Sequence, residues 1–347
     1  CIALWPAFLP IASAEMLHAF ASSALGPAIA ALSLALVGHH ALGERLGRNA
    51  RYAALGNAFA AGMMGLCGYY LSGRAVFLLT GALGLPALAA LKAVGREHSW
   101  RAPDTAAPET VTADLPEAPD LPEAPDLPEV PDLPESPGRS WRFLGDRRLL
   151  IFCLCAALFQ LGNASMLPIA AGLVTERAGR AAPLVIAACI VGPQFITALV
   201  SPWAGRVAES WGRRPVLLVG FAVLPIRGVL LAGVANPFLM ILIQLLDGLS
   251  AAALGVMTPL IIADITRKTG HYTTCLGLVG LAVGGGATLS MTAAGLVADQ
   301  LGGAASFLSM AGVAVFAAAL VAAAMPETKP PPPSHSAPDG ARQARPA

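Results

Sequence analysis

The sequence predicts an all-α polytopic membrane protein, a bundle of about nine transmembrane helices. Three observations carry that prediction. Of 347 residues, 56% are hydrophobic and 12% charged, with a mean hydropathy of +0.66; soluble chains carry about 25% charged residues because their surfaces face water. Twelve of the 21 acids crowd between Glu97 and Asp146, so the remainder has little to solvate it. Nine apolar runs recur, each near the roughly 20 residues that cross a hydrocarbon core about 30 Å thick. The net charge of +1 comes with no basic patch, which argues against a nucleic-acid partner.

The runs cover 8–36, 52–71, 75–94, 149–174, 183–203, 215–234, 237–261, 274–297 and 303–324. They are expected to be helices, because lipid offers backbone groups no partner and the alternation of a barrel strand is absent. Ser72-Gly73, Ala235-Asn236-Pro237 and Gly302-Gly303 punctuate them. With the segment after the first run placed inside, 18 lysines and arginines fall on the cytoplasmic side. Only Arg74, Arg177 and Arg180 fall outside, and Arg227 lies within a span. The expected location is therefore a cell (inner) membrane, multi-pass, with the linker and the C-terminus cytoplasmic.

This division gives three helices over 1–94, a linker over 95–148, six helices over 149–325 and a tail over 326–347. The linker repeats Asp-Leu-Pro-Glu-x-Pro four times from Asp114. Proline at every third position favours an extended polyproline II spacer, stretched by like charge. The tail, with Pro330 to Pro333, is expected to be disordered.

The first three runs repeat the last three. At an offset of 229 residues, Glu15-Met-Leu-His18-Ala19 lies over Gln244-Leu-Leu-Asp247-Gly248, and Ala24-Leu25-Gly26 over Ala253-Leu254-Gly255. In each copy the two polar residues stand three apart, on one helix face. A polar inside loop, a Gly-rich span and an Ala/Leu-rich closing span follow in both. Runs four to six have no counterpart ahead of Cys1, so a protein of six plus six spans lacking its first three is expected. Parallel repeats joined by a long linker are one transporter architecture.

Between runs five and six stands Gly205-Arg-Val-Ala-Glu209-Ser-Trp-Gly212-Arg213-Arg214. It resembles the cytoplasmic loop signature of the major facilitator superfamily, Gly-x-x-x-acid-x-x-Gly-Arg-Arg, in its second-half copy. Pro326-Glu327-Thr328 is a weaker resemblance to the same family. The resemblance implies that the nine spans are helices four to twelve, working by alternating access, with helices four, seven and ten at a central cavity. It also implies that Glu209 pairs with a loop arginine and sits near a helix N-terminus, where the dipole favours an anion, closing the inside. Glu15-x-x-His18-Ala19 stands where many proton-coupled drug exporters carry Arg-x-x-Gln-Gly, and the Gly-Pro signature of their helix five is absent from 56–71.

Intramembrane ionisable groups are the next candidates. A lone charge at a helix centre costs at least about 2.5–3.5 kcal/mol, which disfavours lipid-facing placement. Glu15 and His18 share a face and are expected to exchange a proton, histidine titrating near neutral pH; for His18, a packing hydrogen bond serves equally well. The depths of Arg227 and Asp247 differ by only about 4–5 Å at 1.5 Å rise per residue, so the two can pair. Snorkelling to the outer headgroups is the other reading for Arg227. Asp247, on a helix that the family places at the cavity, is expected to contact substrate or proton. Gln160, Asn163 and Gln244 offer uncharged polar contacts, with Asn57 and Gln194 weaker candidates; interhelical hydrogen bonds explain all five as well.

The glycines Gly280, Gly284, Gly285 and Gly286 are followed by no Lys-Ser/Thr, which excludes a phosphate loop. Cys153-x-Cys155 puts its thiols on divergent faces, poor geometry for a metal or disulfide. No cofactor or metal is expected, nor the residue sets of an intramembrane enzyme. The expected function is a secondary active transporter moving a small solute, ion (proton) coupled and monomeric in the bilayer. The alternatives are an inactive truncated relic, or a scaffold or receptor using the same shell.

Overall fold

A computed structural model of the chain describes residues 8–39, 41–97, 145–267 and 269–329. The regular structure of these residues is helical throughout. The order is α1 (Phe8–Val37), α2 (Leu42–Tyr70), α3 (Gly73–Glu97), α4 (Arg147–Asn163), α5 (Met166–Ala178), α6 (Ala182–Trp211), α7 (Arg213–Gly233), α8 (Pro237–Thr266), α9 (Tyr272–Leu301) and α10 (Gly303–Ala324). A short 3-10 turn, Gly179–Ala181, joins α5 to α6. The linker repeats and the Pro-rich end of the tail lie outside the described residues. Cys1–Leu79 and Phe143–Ala347 together form one compact unit, and Thr80–Arg142 forms another.

Eight of the nine predicted runs coincide with one helix each, and all of these helices but α10 are longer than their runs. The second was expected from 52, yet α2 starts at Leu42 and takes in Arg45, Arg48 and Arg51. Hydropathy detects the hydrocarbon crossing alone, whereas the helical backbone continues into the headgroup layer, where arginine is at home. The same effect carries α6 to Trp211, beyond the expected 203. The Gly205–Arg214 motif is therefore not a loop: it is the last two turns of α6 and the first residues of α7, with Gly212 alone between them.

The fourth run, expected as one span, is broken into α4 and α5 at Ala164 and Ser165. Pro168 has no N–H to offer the Ala164 carbonyl, and its ring crowds that carbonyl. Side chains of two other helices hold Ser165 at the break. The Ser165 N–H donates to Ser290 Oγ (3.3 Å) on α9, the two hydroxyls meet at 2.7 Å, and Ser165 Oγ donates to Met310 Sδ (3.0 Å) on α10.

Close backbone approaches set the packing. α2 lies along α6, where a Cβ on Gly47 would stand 2.6 Å from Ser201 O, and one on Gly205 would overlap Gly43 O. α6 backs onto α8 at Gly192 and Gly248, α7 onto α10 at Gly228, and α4 onto α9 at Gly286. Phe159 of α4 and Phe221 of α7 stack tilted at 4.9 Å within the core that Phe152, Leu217 and Met257 complete. Small residues at crossings are how membrane helices gain dispersion contacts without a hydrophobic drive between them. Outward faces carry Phe195, Leu199, Ile226, Leu242, Leu281 and Phe316, all exposed. α7, α8, α9, α10 and the Arg147–Trp211 stretch are long and apolar enough to cross a membrane.

Candidate functional site

The motif places its side chains at the arginine-rich end of the bundle. α2 begins after Ala41, which has no side-chain acceptor to cap the helix. Glu209 fills that role from α6: its Oε1 accepts the Gly43 N–H at 3.1 Å. A free N–H in a first helical turn carries partial positive charge, so a carboxylate there is favourable. A Cβ on Gly43 would stand 2.5 Å from that oxygen and 3.0 Å from Gly205 O, so a larger residue would push the carboxylate off the N–H.

Arg213 is the hub behind this contact. Its Nε donates to Asp264 Oδ2 at 2.9 Å, its Nη1 donates to Ala208 O at 2.6 Å, and Nη1 lies 3.7 Å from Glu209 Oε2. The Arg213 and Asp264 side chains are each 4% exposed and Glu209 is 33% exposed, so a buried, hydrogen-bonded ion pair of α7 and α8 supports a half-open carboxylate on α6. Arg214 donates from Nη2 to Ala322 O of α10.

Glu327, so far only part of the Pro326-Glu327-Thr328 resemblance, has a definite place in the structure. α7 also starts without a side-chain cap, at Gly212. Glu327 supplies it from beyond α10: Oε1 accepts Arg213 N–H at 2.8 Å and Oε2 accepts Arg214 N–H at 3.1 Å. Oε1 also accepts the N–H groups of Thr328 (3.0 Å) and Lys329 (2.9 Å). Burial pushes the Glu327 carboxyl up, but these four backbone donors outweigh it and hold its pKa below the ordinary glutamate value. Gly212 has φ +108° and ψ 174°, a conformation essentially confined to glycine, and a Cβ there would stand 2.5 Å from Glu327 Oε2. Lys329 Nζ closes the loop by donating to Ser210 O at 2.8 Å. No sequence signal places Glu327 or Asp264 here, because both come from 51 or more residues away along the chain.

In the membrane interior, Arg227 of α7 and Asp247 of α8 pair through Nη1 and Oδ1. Arg227 is 2% exposed, so the snorkelling alternative fails: its guanidinium turns into the protein and not toward headgroups. Asp247 remains 34% exposed on its other side. Gln244, one turn earlier on α8, is buried, and its Oε1, like Arg227 Nε and Asn163 Oδ1, has no hydrogen-bond partner among the described residues. Gln160 is half-buried on α4. Glu15 and His18 fall on α1, but their side chains lie outside the described residues.

A cavity of about 820 Å³ lies beside the α2–α6 seam in the half of the two helices away from the motif, where Gly65 still packs on Ala187 and Gly68 on Pro183. Asn57 of α2 and Gln194 of α6, the two weaker candidates, line it together with Thr175, Met64 and Ile190. Asp247 and Gln244 are not part of its wall. The glycines of α9 divide in the same unexpected way. Gly286 is pressed on Ala157 of α4, whereas Gly280, Gly284 and Gly285 have open space where a Cβ would stand.

Comparison with known proteins agrees with these features. The family profile of the Major Facilitator Superfamily matches residues 153–346. Over 326 residues the chain is 35% identical to an uncharacterized MFS-type transporter of Mycobacterium tuberculosis, in two strains, covering 93% of this chain and 73% of that protein. A 97-residue segment, 28% of this chain and 19% of the relative, is 31% identical to a puromycin resistance protein of Streptomyces alboniger. A helical multi-pass bundle, the Gly205–Arg214 motif and a match spanning nearly the whole chain lead to one conclusion: the chain belongs to the major facilitator superfamily.

Proposed function

We propose that the chain acts as a secondary active transporter that moves a small solute by alternating access, coupled to protons, and that the structure is a form closed at the motif end. The observation that carries this reading is the Glu209–Gly43 hydrogen bond, which ties α6 to the first turn of α2 at the motif end, with a cavity beside the same two helices in their other half. The lysine and arginine bias supports a cytoplasmic position for the tied end, at an inner membrane. Release of one exposed carboxylate from one helix terminus is a small electrostatic event at a packed, two-state interface. A relative named for puromycin resistance fits a small solute as cargo.

For coupling, the reading uses Asp247, half-exposed and held by Arg227, with Glu15 and His18 on one face of α1. The test is uptake into proteoliposomes under an imposed pH gradient, across a panel of metabolites and antibiotics. Gradient-dependent movement of at least one compound is expected, with Asp247→Asn abolishing it while expression and thermal stability stay normal. Movement of no compound would sink the transporter reading. Parental rates in Asp247→Asn would remove that residue from the mechanism.

A further inference from the structure

We infer that the α2–α6 cavity takes an uncharged, largely apolar solute, fixed by the amides of Asn57 and Gln194, and rejects permanent cations; this rests on the transporter reading above. At about 820 Å³ the cavity falls within the roughly 300–1,000 Å³ of small-molecule sites, and it has their usual make-up, an apolar wall with a few polar groups that orient the guest. Among the described residues, no charged side chain lines it. A cation held against such a wall gives up part of its hydration and finds no counter-charge there to offset the loss.

The acid that could have served as counter-charge is held elsewhere. Asp247 is spent on Arg227, and α6 stands between it and the cavity. The stripe Pro183, Ile186, Ile190 and Gln194 faces the cavity, while Gly192 meets Leu245 and Ile196 meets Gly248 on the α8 side. Both amides are available to a guest. No hydrogen bond within the chain engages Asn57 or Gln194, among the described residues. Each amide offers two donor positions and an acceptor, a match for carbonyl, hydroxyl or amide groups on an otherwise apolar molecule. Thr175 adds only lone pairs, since its hydroxyl already donates to Ala171 O at 2.8 Å.

The test uses thermal unfolding of the full chain in detergent with named probes: chloramphenicol and progesterone as neutral guests, tetraphenylphosphonium as a permanent cation. A dose-dependent rise in unfolding temperature is expected with at least one neutral probe and none with the cation. Gln194→Leu and Asn57→Leu should each weaken that neutral probe about tenfold, the scale of one lost hydrogen bond. Gln194→Glu should admit tetraphenylphosphonium. Protection of the wild type by the cation, protection by neither neutral probe, or unchanged binding in both leucine variants overturns the inference. Neutral binding without movement in proteoliposomes overturns the transporter reading and leaves this one standing. Transport of cations alone does the reverse.

Discussion

Glu209 and Glu327 do the same job at two helix N-termini, and the difference between them is instructive. Each caps a helix whose own flanking residue, Ala41 or Gly212, has no side-chain acceptor. Glu209 makes one backbone hydrogen bond, to Gly43, and stands 3.7 Å from Arg213 while a third exposed. Glu327 accepts four backbone N–H groups with its two oxygens. The first contact joins α6 to α2, on which an alternating-access cycle would have to open; the second joins α7 to the residues just after α10. Two of those four lie within the turn of Glu327 itself, so two bonds cross to α7 against the one that crosses to α2. Number of donors, more than the presence of a carboxylate at a helix end, separates a contact suited to switching from a firmer fastening, since Glu327 is the more exposed of the two.

The largest expected effect comes from removing the fastening. Glu327→Ala should lower stability by about 2 kcal/mol, the upper end for losing a helix cap, read as a drop in unfolding temperature in detergent. Its pH dependence sharpens the point. Because the folded-state pKa of Glu327 is lowered from 4.5, its contribution is present above the ordinary value and lost as pH falls through the lowered one. The stability gap between wild type and Glu327→Gln should hold steady above about pH 4.5 and close below it. A gap that persists unchanged into strong acid would show that the carboxylate is not the group responsible.

Gly212→Ala comes next, at about 1.5 kcal/mol, since it forces a Cβ into glycine-only backbone and against Glu327. Combined with Glu327→Ala it should cost less than the sum, because the two share one contact. Full additivity would separate the strain of Gly212 from the cap.

Glu209→Ala should be the mildest, about 0.5–1 kcal/mol for one partly exposed cap. Its signature is access and not stability: a cysteine placed at Ala50, half-buried on α2, should react faster with a membrane-impermeant thiol reagent than in the parent. Equal reactivity would mean that Glu209 does not hold the two helices together.

Chemistry alone revealed the apolar helices and offered the pairing of Arg227 with Asp247 as one of two readings, because hydropathy, charge bias and the cost of a lone intramembrane charge are local or nearly local properties. The acid and arginines of the 205–214 motif were legible for the same reason, as a short pattern within one stretch of chain. What was not legible depended on backbone course. The split between α4 and α5 ahead of Pro168 was not read from the sequence, and Ser290 and Met310 brace it from two other helices. Residues 51, 114 and 166 positions apart converge on the motif through Asp264, Glu327 and Gly43, and a capping bond to a peptide N–H leaves no trace in residue type. Asn57 and Gln194 share a cavity for that reason as well: each helix was readable by itself, while the face it turns to its neighbour follows from close packing, which only the assembled bundle decides.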